Sequence, residues 1–523
     1  MANPQPSLSP LGVTGEAPID AMLTGHRWML GPDRTIDWSI SDGFGGESWV
    51  DPAGTVETIT LALQTISYFA DVRFNYVGSY SSPTAAAGAG SEINFSSDGA
   101  NRFFTSPTEW ALGFFPDGGA TPPYAGAPGD IYLNLNSPAN ELSYAPGGVA
   151  WTVLLHEIGH ALGLKHPHDP GAGGQPTFEH GGLGEFDKDW VTVMSYDDDY
   201  PWSELAWHPA TPMVLDVIAL QYLYGPNMAT NVGDSLFSLG ESDLFATIWD
   251  ASGVDVLSFA EATKGWFIEL PNYLVTDLVA TPVGFAVPLG EMSLPSPHSL
   301  YWLAGDFEIV EGSAYGDEVI GDIYDNGILG SGGDDTISDL GGSNYLRGGD
   351  GNDSLLGGDG FDDMHGNIGN DVVDGGAGSD WVVGGQGSDL LRGGEDDSYD
   401  VVYGNLGNDT CYGGDGADWV RGGQGDDSLS AGGGADWIWG DRGNDTIEGG
   451  AGADIFFVFG EAGTDRVLDF NAAEGDVVRV EAGYTYSAAQ VGADVVVSVG
   501  GGAQVVLAGR TLAALGDGWL VGG

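Results

Sequence analysis

The sequence predicts two unlike domains in series: an α+β domain, then an all-β domain built from stacked parallel turns. Three observations predict this. A histidine motif with helical spacing lies near residue 160, among segments that alternate between strand and helix periodicity. From Gly330 onward the pattern G-G-x-G-x-D-x-U-x, with U apolar, recurs every nine residues. The chain has 523 residues, too many for one ordinary core.

Residues 1–18 are rich in Pro, Ser and Gly and carry no apolar periodicity. The first domain is assigned to residues 19–227. Residues 35–40 alternate as a strand does. Asp51-Pro52 then opens a helix, with Asp at the N-cap and Pro in the first turn. Val56, Ile59, Leu63, Ile66 and Phe69 give that helix its apolar stripe. Strands are expected at 72–77, 92–95 and 130–135. Gly147-Gly148 leads into the apolar run 149–155, which continues into the histidines. A helix from about 212 to 224 closes the domain. Residues 228–311 turn to short β segments and form a junction.

The motif runs from His156 to His166 and reads H-E-x-x-H-x-x-G-x-x-H. On a helix, positions i and i+4 share a face, so His156 and His160 can grip one metal ion. Glu157 can reach a water on that ion. Gly163 can adopt the left-handed conformation that ends a helix, and the turn brings His166 back as a third nitrogen ligand. Three protein ligands leave one position open, the mark of a catalytic rather than a structural zinc site.

The repeats occupy residues 312–457. In each copy the first six residues form a loop and the last three a short strand. Carbonyls and the sixth-position aspartate then bind Ca²⁺ between successive loops. Those aspartates are Asp335, Asp353, Asp362, Asp371, Asp380, Asp389, Asp409, Asp418, Asp427, Asp436, Asp445 and Asp454. The eighth position points inward, and Cys411 falls in that register as a small buried thiol. Copies at 339–347 and 393–401 are degenerate, and two extra residues are expected after the second. Two copies make one turn, so alternate copies share a face. Counted this way, the outward seventh positions of one face carry Tyr345, Asp363, Trp381, Tyr399, Trp419, Trp437 and Ile455, and those of the other carry Ser, Thr, Val and Leu. An apolar face of this extent predicts a cover: a partner, a second copy or a polymer surface. Residues 458–523 read as strands that cap the roll.

Downstream of the histidines stands Val193-Met194-Ser195-Tyr196. With the long histidine motif this resembles the metzincin proteases, which place a methionine-containing turn beneath the zinc. The glycine-aspartate nonapeptides narrow the resemblance to the serralysin family, secreted bacterial zinc endopeptidases with a C-terminal RTX calcium-binding β-roll. The resemblance implies an α+β metzincin protease domain followed by an all-β parallel β-roll, and that the strand at 130–135 is the sheet edge that binds substrate backbone. It implies catalytic Glu157, zinc ligands His156, His160 and His166, a packing role for Met194, and Tyr196 as a further zinc ligand that can swing off to stabilise the oxyanion. It also implies that residues 1–18 are a pro-segment, that the substrate is protein or peptide, and that export follows a type I route reading a signal within 458–523.

The composition narrows the partners. With 76 acidic residues against 14 basic, the net charge is −62, which repels phosphate backbones and anionic membranes. Nucleic acid is therefore excluded. Such a charge calls for hard cations before a compact state forms. One cysteine permits no internal disulfide. No signal peptide and no membrane span are expected from the sequence. The rival reading from another class is a calcium-binding matrix protein with an idle protease domain. The retained base Glu157 argues against it.

Overall fold

The computed structural model describes residues 9–10, 17–43, 48–98, 110–116, 128–134, 144–168, 188, 191–195, 208–275, 279–291, 297–339 and 341–522. The chain divides into two compact units. The first comprises Met1–Ser235, Glu241–Gly253 and Pro271–Asp306, and the second Leu236–Gly240, Val254–Leu270 and Phe307–Gly523.

In the first unit a twisted sheet contains β1 (Thr35–Ser41), β2 (Arg73–Tyr80), β3 (Ile93–Asp98), β4 (Ala111–Gly113) and β5 (Ile131–Asn134). The strand order is β2-β1-β3-β5-β4, and only β4 runs antiparallel to its neighbour. The strand expected to form the edge, β5, is interior, and β4 holds that place. Three residues, Ala-Leu-Gly, are too few to show a strand period, so β4 was not legible.

Helix α1 (Pro52–Phe69) begins as expected: the Asp51 carboxylate accepts the Gly54 N–H at 3.1 Å. Ile59, Leu63, Ile66 and Phe69 are buried, while Val56 is half-buried. Each fully buried side chain of this size contributes about 1.5–3 kcal/mol. Helices α2 (Val149–Leu162) and α3 (Val214–Tyr224) are buried along nearly their whole length, so neither shows a polar face. Trp151 of α2 is fully buried and donates its Nε1–H to the Ala210 carbonyl at 2.8 Å.

The second unit is a roll of two parallel sheets that advances 18 residues per turn. One sheet stacks Gly327–Gly332, Tyr345–Asp350, Asp363–Ile368, Trp381–Gln386, Val401–Leu406, Trp419–Gln424, Trp437–Arg442 and Ile455–Val458. The other stacks the alternate strands from Thr336–Ser338 to Thr446–Gly452. The eighth positions fill the narrow interior: Leu346, Met364, Val382, Cys411 and Ile438 are all fully buried. At the C-terminal end, Tyr486–Val491, Asp494–Val499 and Gln504–Leu507 pair antiparallel, with Val495, Val497, Val505 and Leu507 buried.

The extra two residues lie elsewhere than expected. Val401 pairs with Trp381 on one side and Trp419 on the other, so the insertion precedes Asp400 and Tyr399 does not hold a seventh position. The reason is electrostatic. The expected register would leave Ser398 where the turn needs a carboxylate, and a loop absorbs two residues at little cost.

Candidate metal centres

Helix α2 places His156 and His160 on one face, exposed by only 3% and 6%. Each ring is oriented by a backbone carbonyl. His156 Nδ1 donates to Val193 O at 2.7 Å, and His160 Nδ1 donates to Leu164 O at 3.0 Å. A proton held on Nδ1 leaves the Nε2 lone pair free for a metal. The helix ends at Gly163, at φ 112°, where a Cβ would stand 2.5 Å from the His26 carbonyl. Leu164 N–H bonds Gly159 O and Gly163 N–H bonds His160 O, a Schellman turn. That turn returns His166, whose Nε2 lies 3.0 Å from His156 Nε2 and 3.1 Å from His160 Nε2. Two nitrogens tetrahedrally bound to one zinc stand about 3.3 Å apart. Among the described residues these three form one convergent metal-ligating cluster. Burial, and then the facing imidazoles, hold His156 and His166 well below the usual imidazole range, which favours the neutral, ligating form.

Glu157 is 5% exposed, and burial pushes its carboxyl up to about 8 against the Gly113 N–H bond that lowers it. Gly113 ends the edge strand β4. A Cβ there would sit 2.7 Å from the Glu157 carbonyl and 2.9 Å from its Oε2. The strand can lie this close to the helix only because the residue is glycine. Nothing in the sequence singled out Gly113.

The methionine turn packs from the other side. Met194 is fully buried, and a Cβ on Gly159 would meet its sulfur at 2.7 Å. Asp216 of α3, also fully buried, holds this turn by accepting from Thr192 Oγ1 at 2.5 Å and from Val193 N–H at 2.8 Å. It also accepts Met213 N–H at 2.9 Å. The Val193 peptide thus bonds Asp216 through its N–H side and His156 through its carbonyl. Sequence reasoning missed Asp216, because an acid at the third helical position reads as ordinary N-terminal capping. Tyr196 lies outside the described residues.

In the roll every expected aspartate is buried. Each Oδ1 from Asp353 to Asp454 accepts the backbone N–H of the matching residue one turn earlier, at 2.8–3.1 Å. Each Oδ2 from Asp335 to Asp454 is buried with no hydrogen-bond donor. Such orphaned carboxylate oxygens fit a hard cation. So does the space beside them: a Cβ on Gly413 would lie 2.5 Å from the Ala431 carbonyl and 2.8 Å from Asp418 Oδ2. Burial, and then neighbouring carboxylates, push Asp335 up to about 8 and Asp389, Asp418 and Asp427 to about 7. Asp400 joins the column in the same geometry, and Asp317, Asp465 and Asp476 extend its ends. Asp400 was hidden by the insertion and the end residues by broken repeats.

Residues 311–338, 329–364, 365–399, 396–420 and 421–456 match the family described as RTX calcium-binding nonapeptide repeat (4 copies). Among curated relatives, Serralysin C of Dickeya chrysanthemi is 34% identical over 146 residues, 24% of this chain and 29% of that protein. Metalloprotease AprA of Pseudomonas entomophila is 30% identical over 177 residues, 29% of this chain and 35% of that protein. Serralysin G of Dickeya chrysanthemi is 28% identical over 242 residues, 43% of this chain and 47% of that protein. The matches thus span 29% to 47% of these relatives' own lengths. No helix among the described residues is long and apolar enough to cross a membrane.

Proposed function

We propose that this chain, a relative of the serralysins with RTX calcium-binding repeats, is a secreted, calcium-dependent zinc endopeptidase acting on extracellular proteins. The observation that carries this reading is the convergence of three histidine Nε2 atoms beside the buried Glu157 carboxylate. His156, His160 and His166 would hold the zinc, which would supply a Lewis acid able to polarise a carbonyl and acidify a bound water.

The remaining steps fall to the chain's own groups. Glu157 takes the proton of the attacking water as the water oxygen bonds the carbonyl carbon. It returns that proton to the amine nitrogen as the C–N bond breaks. The Val193 and Leu164 carbonyls keep the histidine rings aimed. Tyr196, two residues past Met194, is assigned by the family resemblance to the oxyanion. The edge strand β4 offers its backbone to an extended substrate by strand addition.

On this reading residues 1–18 are a pro-segment, 19–227 the protease domain, 228–311 a junction, 312–457 the roll and 458–523 the cap and export signal. The roll passes unfolded through a type I channel and folds outside, where calcium near 10⁻⁴–10⁻³ M suffices for such modules. The test is hydrolysis of reduced casein by the full chain and by residues 19–523, with Zn²⁺ and millimolar Ca²⁺. Cleavage abolished by 1,10-phenanthroline is expected. Absence of cleavage by both proteins overturns the reading.

A further inference from the structure

The two faces of the roll differ in chemistry. On the sheet that includes Tyr345–Asp350, four seventh-position side chains are aromatic, Tyr345, Trp381, Trp419 and Trp437, at 48%, 50%, 42% and 37% exposed, with Asp363 and Val401 standing between the first three. The equivalent column of the facing sheet carries no aromatic ring: it holds Ser and Thr, with Val372 and Leu390 between Ser354 and Thr410. Ninth positions of the aromatic sheet form a second column beside the first. It runs from Arg347 through Tyr403, Arg421, Trp439 and Phe457 to Arg479. Parallel pairing sets these rungs about 4.8 Å apart, so the eight paired rungs from Arg347 to Arg479 span roughly 34 Å.

Along the stripe, flat rings alternate with paired charges. Trp419 and Trp437 stack at 5.2 Å with planes 10° apart, and Trp439 and Phe457 stack at 4.2 Å and 8°. Between rings, Arg347 bonds Asp363 at 3.0 Å, His365 approaches the same carboxylate at 3.2 Å, and Arg421 pairs with Asp441. Two hollows of about 620 and 520 Å³ adjoin on this face and share Arg421 and Trp439.

An apolar stripe of this length marks an interaction site. Charge decides among occupants. The column aspartates that calcium neutralises are a minority of the 76 acidic residues, which stand against 14 basic ones, so a second calcium-loaded copy still brings like charge, and a polyanion or anionic membrane is repelled likewise. An uncharged polymer meets no such barrier. A pyranose presents a face of C–H groups, which lies flat on an indole, and a rim of hydroxyls that both donate and accept. The stripe supplies both needs: ring surface, most open at the half-exposed Trp381 and partly covered where Trp419 and Trp437 stack on each other, and donors and acceptors held in Arg–Asp pairs. Its length suits a chain better than a small molecule.

We propose that this face binds a linear, uncharged polysaccharide and attaches the protein to it. The test is affinity electrophoresis of the full, calcium-loaded chain through gels containing hydroxyethylcellulose, glucomannan or soluble starch, with polygalacturonate as the charged counterpart. Tryptophan fluorescence titration with the corresponding hexasaccharides gives affinities. Retardation by at least one neutral polymer is expected. A Trp419→Ala/Trp437→Ala variant should bind about tenfold more weakly, Trp419→Tyr should retain most binding, and Thr410→Ala on the facing sheet should match the parent. Should the double variant lose its calcium-dependent circular dichroism, Trp381→Ala, at the most exposed ring, replaces it.

Three outcomes overturn the proposal. One is no retardation in any neutral gel, or retardation that these variants leave unchanged. Another is binding to polygalacturonate alone. The third is a dimer in sedimentation velocity that the tryptophan variants dissociate, which assigns the face to a second copy.

Discussion

The histidine cluster and the aspartate columns both hold space for a cation, and they do so by opposite routes. The cluster is assembled from distant segments: β4, α2, the turn at residues 192–195 and α3. Its donors are neutral rings, two of them aimed by a backbone carbonyl, so they can wait in place without a metal. The columns come from one short motif repeated, each carboxylate bonding the backbone one turn earlier. Their donors are like charges stacked on one another, so the columns resist closure until a cation arrives. The first site is preorganised by packing, while the second is completed by its ion.

The largest expected effect breaks this comparison if it fails. Removing calcium from the full chain should abolish most of the β signal of the second unit in circular dichroism. Removing zinc should leave that signal in place and stop hydrolysis. If chelating calcium leaves the spectrum and thermal transition unchanged, the columns are preorganised after all. Next, Glu157→Ala should lower casein hydrolysis by about 10²–10⁴-fold while bound zinc stays at the parent level. Loss of zinc as well would mean that the carboxylate shapes the site rather than moving a proton.

Asp216→Ala sharpens the contrast within the first unit. It strands the N–H groups of Val193 and Met213 and frees the peptide that aims His156. Zinc affinity, measured by competition with a chromophoric chelator, should fall about 10–100-fold, and stability should fall by about 1–3 kcal/mol. Unchanged affinity would show that the ring holds its direction unaided.

The smallest effect is on pH. In the calcium-free roll, burial raises the column carboxyls, Asp353 and Asp362 to about 6 and Asp335 to about 8. Unfolded aspartate titrates near 3.9. Between these values the folded state binds more protons, so calcium-free stability should be greater at low pH and fall as pH rises through about 6–8. With calcium the trend reverses, because protons compete for the same oxygens. The β signal remaining at pH 5 and at pH 8 in chelator, and thermal midpoints at the two pH values with calcium, check the sign.

Much of this was legible in the residues. The spacing of His156, His160 and His166 with Gly163 determined a helix, its left-handed end and a convergent triad, because i to i+4 spacing and a left-handed glycine are local geometry. The nonapeptide beat determined two parallel sheets, a buried eighth position and a column of carboxylates, since each copy repeats its neighbour's conformation. Tertiary structure alone decided the rest. Gly113 matters because an edge strand lies against α2, and Asp216 because α3 meets the methionine turn. Tyr399 left the aromatic column because Asp400 had to enter the charged one. Each of these joins residues far apart in the chain or weighs two registers against each other. Their outcome depends on which buried groups find partners, and that is settled only when the segments pack together.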